Sequence, residues 1–252
     1  MAFSADKSET RDQKSASSDS LAAGFCARHS GLSGLPSSFS FPSGPVWVAP
    51  SARLAATVRV APFVYIGPDV TVGPETVIFP FVALLGSVVI GARCRIGPGT
   101  AIGCEGFGYE RHGTELRRID HQGRVVIEDD VDIGANCTIA RAKTGRETRI
   151  GQGTKIDCQV HIGHNVTIGR NCLIVAQTGI AGSARVGDRV QLAGQTGIKD
   201  HIRIGADSVI YAKSALFRSI PPGSHYSGIP GRPHREVQRL WARLWQRFGR
   251  SD

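Results

Sequence analysis

Aliphatic residues recur at every sixth position over most of the chain, a small or β-branched residue follows four positions later, and glycine often follows the aliphatic directly. These three features predict an all-β fold, a left-handed parallel β-helix of about eight coils, with a C-terminal α-helix. The anchors run Val48, Leu54, Val60, Ile66, Val72, Ile78, Leu84, Ile90, Ile96 and Ile102, then Ile127, Ile133 and Ile139. They resume at Ile150 and continue unbroken through Ile156, Ile162, Ile168, Ile174, Ile180, Val186, Leu192, Ile198, Ile204 and Ile210 to Leu216. With the aliphatic content of this chain, that last run has a chance probability of roughly 10⁻⁸. An amphipathic helix needs spacings of three and four and a flat strand needs alternation, so a period of six fits neither.

The second restricted position holds Val64, Val70, Thr76, Val82, Val88, Cys94 and Thr100, and later Thr154, Val160, Val166, Cys172 and Thr178. Such a unit suits a short strand and a tight turn. Both restricted residues point inward, and Gly or Asn takes a positive-φ turn position. Three units close a triangular coil of about 18 residues, and coils stack as parallel strands ~4.8 Å apart.

Each part of the chain then follows in order. Residues 1–45 are serine-rich, balanced in charge and poor in hydrophobics, and are expected to form a disordered tail. Residues 46–217 form the solenoid, interrupted at 103–126 and 140–149, and solenoid insertions become loops that build binding surfaces. Residues 218–252 begin with a Pro/Gly-rich turn. They continue into a helix with Val237, Leu240, Trp241, Leu244, Trp245 and Phe248 on one face and Arg235, Arg239, Arg243 and Arg247 on another. The Trp/Leu stripe reads most simply as a docking face. This end holds much of the formal net charge of +9.

Composition narrows the class. Gly is abundant, at 31 residues of 252, without a collagen period. No apolar run approaches the ~18 residues of a spanning helix, and the N-terminus has no apolar signal core, which implies a cytoplasmic protein with no integral membrane segment. The six cysteines (26, 94, 104, 137, 158 and 172) contain no CxxC, so they read as reduced and mostly buried.

The histidines carry the candidate chemistry. His164 lies two residues after the anchor Ile162, at a turn, and His201 follows it by two coils plus one residue. Both imidazoles are therefore expected on one edge, roughly 10 Å apart. Gly182 lies one coil above His164, where its N–H can face a group held by the imidazole. That arrangement suits acyl transfer from a thioester, with an imidazole taking the nucleophile's proton and a backbone N–H stabilising the oxyanion. Asp157 is expected to orient an imidazole. His161 and His164 together also fit two metal ligands, an alternative that lacks clear acidic partners. Cys158 has no evident base and reads as structural.

Six segments carry a resemblance: GFGYE (106–110), QGRVVIEDDVDIGANCTIAR (122–141), KIDCQVHIGHNVTIG (155–169), AQTGIAGSARVGD (176–188), LAGQTGIKDHIRIG (192–205) and YSGIPGRPHRE (226–236). In order, over about residues 46–240, they resemble the UDP-3-O-acylglucosamine N-acyltransferases of lipid A biosynthesis. The resemblance implies a homotrimer with sites between neighbouring solenoids and an acyl group delivered by acyl carrier protein. The acceptor it implies is the 2-amine of a UDP-linked 3-O-acylglucosamine. The protein is expected to need no cofactor or metal and to bind no nucleic acid. The resemblance places the catalytic base on His164, the oxyanion glycine on Gly182 and the second active-site histidine on His201. Beside these, Asp157 and His161 are expected as further substrate contacts. The acidic carrier matches the Arg-rich helix.

Three features depart from that family. The serine-rich 1–45 stands where a uridine-binding domain is usual, Ala140-Arg141-Ala142 replaces Asp-Arg-Gly, and Ile119-Asp120 replaces Ile-Pro. Two other readings follow: an acyltransferase for another nucleotide-linked amino sugar using acyl-CoA, and a non-catalytic trimeric scaffold.

Overall fold

The computed structural model describes residues 41–248, so most of the serine-rich segment and the last four residues lie outside it. The solenoid is a left-handed parallel β-helix whose three faces are sheets of nine, eight and ten strands. One coil shows the plan. His161–Ile162 lies on the first face, Thr167–Ile168 on the second and Leu173–Ile174 on the third, and Gly179–Ile180 returns to the first, in register with His161–Ile162.

The anchors point into the prism and stack on one another: Ile162 pairs with Ile180, Ile168 with Val186 and Ile174 with Leu192. All are essentially removed from solvent. A buried isoleucine contributes about 1.5–3 kcal/mol, so this column is the main source of stability. The position four residues after the anchor is also buried in most coils, and its threonines are satisfied there. Thr154 donates its hydroxyl to the Gly169 carbonyl (2.9 Å) and accepts the Cys172 N–H (3.1 Å); Thr76 and Thr100 repeat the pattern. Cys94, Cys137 and Cys172 occupy equivalent sites, and burial pushes the Cys94 and Cys137 thiols up to about 11. Cys104 is half-buried and Cys158 exposed.

The turn chemistry differs in part from the expectation. Positive φ falls three residues after the anchor, where Asn136, Asn165, Asn171, Gly99 and Gly153 meet the expectation, but eighteen non-glycine residues among those described adopt it, including Asp69, Ser183, His201 and even Phe63 and Phe81. The glycines directly after the anchors answer a different demand. A Cβ on Gly151 would stand 2.6 Å from the backbone of Gly169 in the next coil, and one on Gly163 would stand 2.8 Å from the Gly182 nitrogen. Close approach of successive coils excludes a side chain there.

Both insertions leave the solenoid at the same corner, between the first and second faces. The first spans from the strand Ala101–Cys104 to Arg124–Ile127 and contains an antiparallel hairpin of Tyr109–His112 with Glu115–Arg118. The second runs from Thr138–Ala140 to Glu147–Ile150. Glu105 clamps the two loops together, accepting from Arg141 (3.0 Å) and pairing with Arg118.

At the other end His225–Ser227 adds to the third face, and Arg232–Pro233 pairs with it antiparallel. The helix His234–Phe248 follows, tied to the solenoid by His234, which stacks on Tyr211 at 4.0 Å and bonds Ser227 Oγ at 3.0 Å. Its apolar stripe is not docked on this chain: Leu240, Trp241, Trp245 and Phe248 are all more than half exposed. No helix among the described residues is long and apolar enough to cross a membrane.

Candidate active site

The corner that releases both loops also carries His164, one coil beyond the second insertion. His164 sits in the turn between His161–Ile162 and Thr167–Ile168 and is half-buried. Its Nδ1 lies 2.9 Å from Asn165 Oδ1. The same oxygen accepts the Lys143 N–H at 3.2 Å, which identifies it as the carbonyl end of the amide. His164 Nδ1 therefore carries the proton and donates, leaving the Nε2 lone pair free as a base. Asn165 is itself pinned by its N–H to the buried Thr148 hydroxyl (2.9 Å).

Free Nε2 lies over Gly182. A Cβ added at Gly182 would stand 2.7 Å from His164 Nε2 and 2.8 Å from Cε1. Gly182 φ is not positive, so the imidazole, and not backbone conformation, demands glycine there. At some equivalent turn positions the N–H is claimed by a side chain, as at Ala92 by Asp129 (2.8 Å), Arg170 by Asp188 (2.8 Å) and Ala176 by Asp157 (3.2 Å), while at others, such as Asp188 and Ala206, it is not. No acceptor among the described residues takes the Gly182 N–H. A free donor and a free base thus stand side by side.

A third group joins them. His121, from the first insertion, is fully buried with its ring centroid 4.8 Å from that of His164. Its Nδ1 donates to the Ile119 carbonyl (2.9 Å), and its Nε2 is buried without a partner. Burial, and then the neighbouring His164, hold its pKa below the ordinary histidine value. The GFG of residues 106–108 makes this closure possible. A Cβ on Gly106 would stand 2.8 Å from His121 Nε2 and 2.9 Å from His164 Cβ, and one on Gly108 2.8 Å from His121 Cε1.

The structure relocates other expected residues. Asp157 lies at a different corner, between the third and first faces, and its carboxylate accepts the N–H groups of Cys158 (2.7 Å) and Ala176 (3.2 Å). It staples a turn and does not orient an imidazole; Asn165 does. His201 shares the His164 edge but takes the positive-φ position, stacking in the row of Asn165 and Ser183 with its side chain largely exposed. Asp200, not His201, occupies the place two coils above His164. His161 points outward from the first face in register with Thr138 and Gly179, and open space flanks Gly179. No group of three or more His, Cys, Asp or Glu side chains converges as a metal site among the described residues.

Sequence reasoning missed His121 and Asn165. His121 lies outside the period, so no coil arithmetic reaches it. Asn165 was legible as the polar neighbour of the base.

The six-residue repeats and triangular coils put the chain in a structural class, the left-handed hexapeptide-repeat β-helices. The profile of the bacterial transferase hexapeptide family (six repeats) matches residues 69–104 and 147–182. Within the class, the chain is similar to UDP-3-O-acylglucosamine N-acyltransferases. That of Methylorubrum populi is 41% identical over 174 residues, covering 68% of this chain and 49% of the relative. That of Sinorhizobium medicae is 61% identical over 158 residues, covering 62% and 43%. The chain thus spans about half the length of the curated relatives it matches. Among solved structures, LpxA from Acinetobacter baumannii superposes with a TM-score of 0.70 at 25% identity, covering 80% of this chain and 77% of that one. The Francisella novicida UDP-N-acetylglucosamine acyltransferase gives 0.70 at 26% identity, covering 79% and 73%.

Proposed function

We propose that this protein is an N-acyltransferase of lipid A biosynthesis, moving a hydroxyacyl group from acyl carrier protein to the 2-amine of a UDP-3-O-acylglucosamine. The observation that carries the reading is the pairing of His164 Nε2, freed by the Asn165 contact, with the unclaimed N–H of Gly182. The amine attacks the thioester carbonyl while His164 Nε2 takes its proton. Gly182 N–H stabilises the oxyanion, the C–S bond breaks, and the imidazolium returns the proton to the departing thiolate, giving an amide and a free thiol. A thioester is already activated, so no nucleophilic side chain is required. His121 Nε2, a buried acceptor without a donor, is suited to hold the acceptor's second N–H or a hydroxyl beside the base.

The relatives' names support this acceptor and this chemistry. The exposed stacked pairs Trp47–Tyr65 (4.5 Å) and Phe63–Phe81 (5.3 Å) support burial against neighbouring chains in a homotrimer. The arginine face of the C-terminal helix suits an acidic carrier. His201 and His161, exposed on either side of His164, are positioned as substrate contacts, and the reading places the reaction in the cytoplasm.

The test is thiol release from acyl carrier protein or CoA thioesters against a panel of UDP-amino sugars, with the His164→Ala variant alongside. The variant is expected to keep its oligomeric state and to lose at least about 10²-fold in turnover. Near-parental turnover would falsify the assignment, and no turnover by the parent with any donor or sugar would favour the scaffold.

A further inference from the structure

Beside the His164 corner, a cleft of about 470 Å³ opens over the second face, lined by Arg146, Arg185 and Arg203 with Asn165, Ser183 and His201. Arg185 and Arg203 are register partners on neighbouring strands, so two cations stand one strand spacing apart on the same face. Like charges placed directly opposite across strands destabilise a sheet. No carboxylate among the described residues pairs with either, or with Arg146. The cleft's one acidic side chain, Glu147, is already held by Arg124 (3.0 Å) and Arg149 (2.6 Å). Elsewhere on the solenoid the same stacking is compensated, as where Arg189 meets Asp207 one coil away at 2.6 Å. This stacked, uncompensated pair stands in a concavity and next to the corner that carries His164.

We propose that this cleft binds a phosphate or diphosphate ester, with Arg185 and Arg203 as its principal ligands and Arg146 closing the side. Guanidinium groups fit phosphate oxygens two at a time, and a dianion relieves the repulsion between the stacked arginines. Asn165 links the cleft to the chemistry, because it lines the cleft and also holds His164 Nδ1. A phosphate seated here is beside the corner that carries His164. The choice of phosphate esters rests on the acyl-transfer reading, in which two substrates carry such a group: the diphosphate of the nucleotide sugar and the phosphate of the carrier's pantetheine arm.

The test is calorimetric titration of the full-length protein with inorganic pyrophosphate, UDP and phosphopantetheine, repeated on the Arg185→Gln/Arg203→Gln double variant. An Arg235→Gln/Arg239→Gln variant of the helix controls for bulk charge. The parent and the helix variant are expected to bind pyrophosphate alike, and the cleft variant at least about tenfold more weakly, with its melting temperature unchanged or raised. Tighter binding of UDP than of phosphopantetheine assigns the cleft to the acceptor, and the reverse order assigns it to the donor. Equal affinity in parent and cleft variant, or no pyrophosphate binding by the parent, overturns the inference. Arginine-dependent binding without any thioester turnover would instead sink the acyl-transfer reading and leave the cleft standing.

Discussion

Replacing Gly182 by alanine separates catalysis from stability. The new Cβ would stand 2.7 Å from His164 Nε2, against the 3.4 Å where ordinary van der Waals contact begins, so the imidazole must retreat by about 0.7 Å. The ring is the movable partner. Displacing it off its rotamer costs about 0.5–1.5 kcal/mol, while alanine gains about 0.4–1 kcal/mol by restricting the unfolded chain, because Gly182 φ is not positive. The two nearly cancel, and stability should change by no more than about 1 kcal/mol. Activity responds differently, since a base misplaced by about 1 Å can cost about 10²-fold, equivalent to ~2.7 kcal/mol in the barrier. Thiol release measured with a chromogenic reagent, beside a urea melt, reads both quantities. Turnover within about threefold of the parent refutes the reasoning, and so does loss of activity that accompanies loss of the fold.

Asn165→Ala removes the acceptor of the His164 Nδ1 proton, and kcat is expected to fall about 10–100-fold with KM little changed. Asn165→Asp keeps that acceptor, tolerates the positive φ and restores turnover, with the acid limb of the pH profile moved up because a carboxylate raises the pKa of the imidazole; a dead Asp variant contradicts the positioning role. His121 makes a pH prediction. Its folded pKa lies below the ordinary value of about 6.5, so on acidification the unfolded chain takes the proton first. Its contribution to stability is complete above about pH 6.5 and declines as pH falls below that, at up to about 1.4 kcal/mol per pH unit. His121→Gln should flatten the urea midpoint between about pH 6.5 and pH 5, and parallel curves for parent and variant would contradict the assignment.

The solenoid was legible because its stabilising residues are periodic: each anchor meets the residue eighteen positions on, and a one-dimensional pattern carries the whole core. Residues placed by the same arithmetic were found on the expected edge, as with His164, Gly182 and His201. The one-residue offset in the spacing of His201 already separated it from the His164 column, and the positive φ at His201 is its structural counterpart. Asp157 was misread for a related reason. It stands seven residues before His164, more than one face away, and so at another corner of the prism. The turn glycines were credited with positive φ, although the stacking of coils makes close approach the stricter demand. His121 was out of reach because its position depends on a hairpin folding back along the corner, secured by Glu105 and admitted by Gly106 and Gly108.

The common exit of both insertions makes this corner a mounting rail. The feet of each loop are strands whose register is set by anchors such as Ile102, Ile127, Ile139 and Ile150, deep in the column. A loop can therefore lengthen, shorten or change sequence without moving its feet or disturbing the coil beneath. Exchanging what hangs on the rail would leave the anchors of the His164 and Gly182 coils in place, but it would change what packs on the imidazole, because His121 and Gly106 of the first loop lie against it.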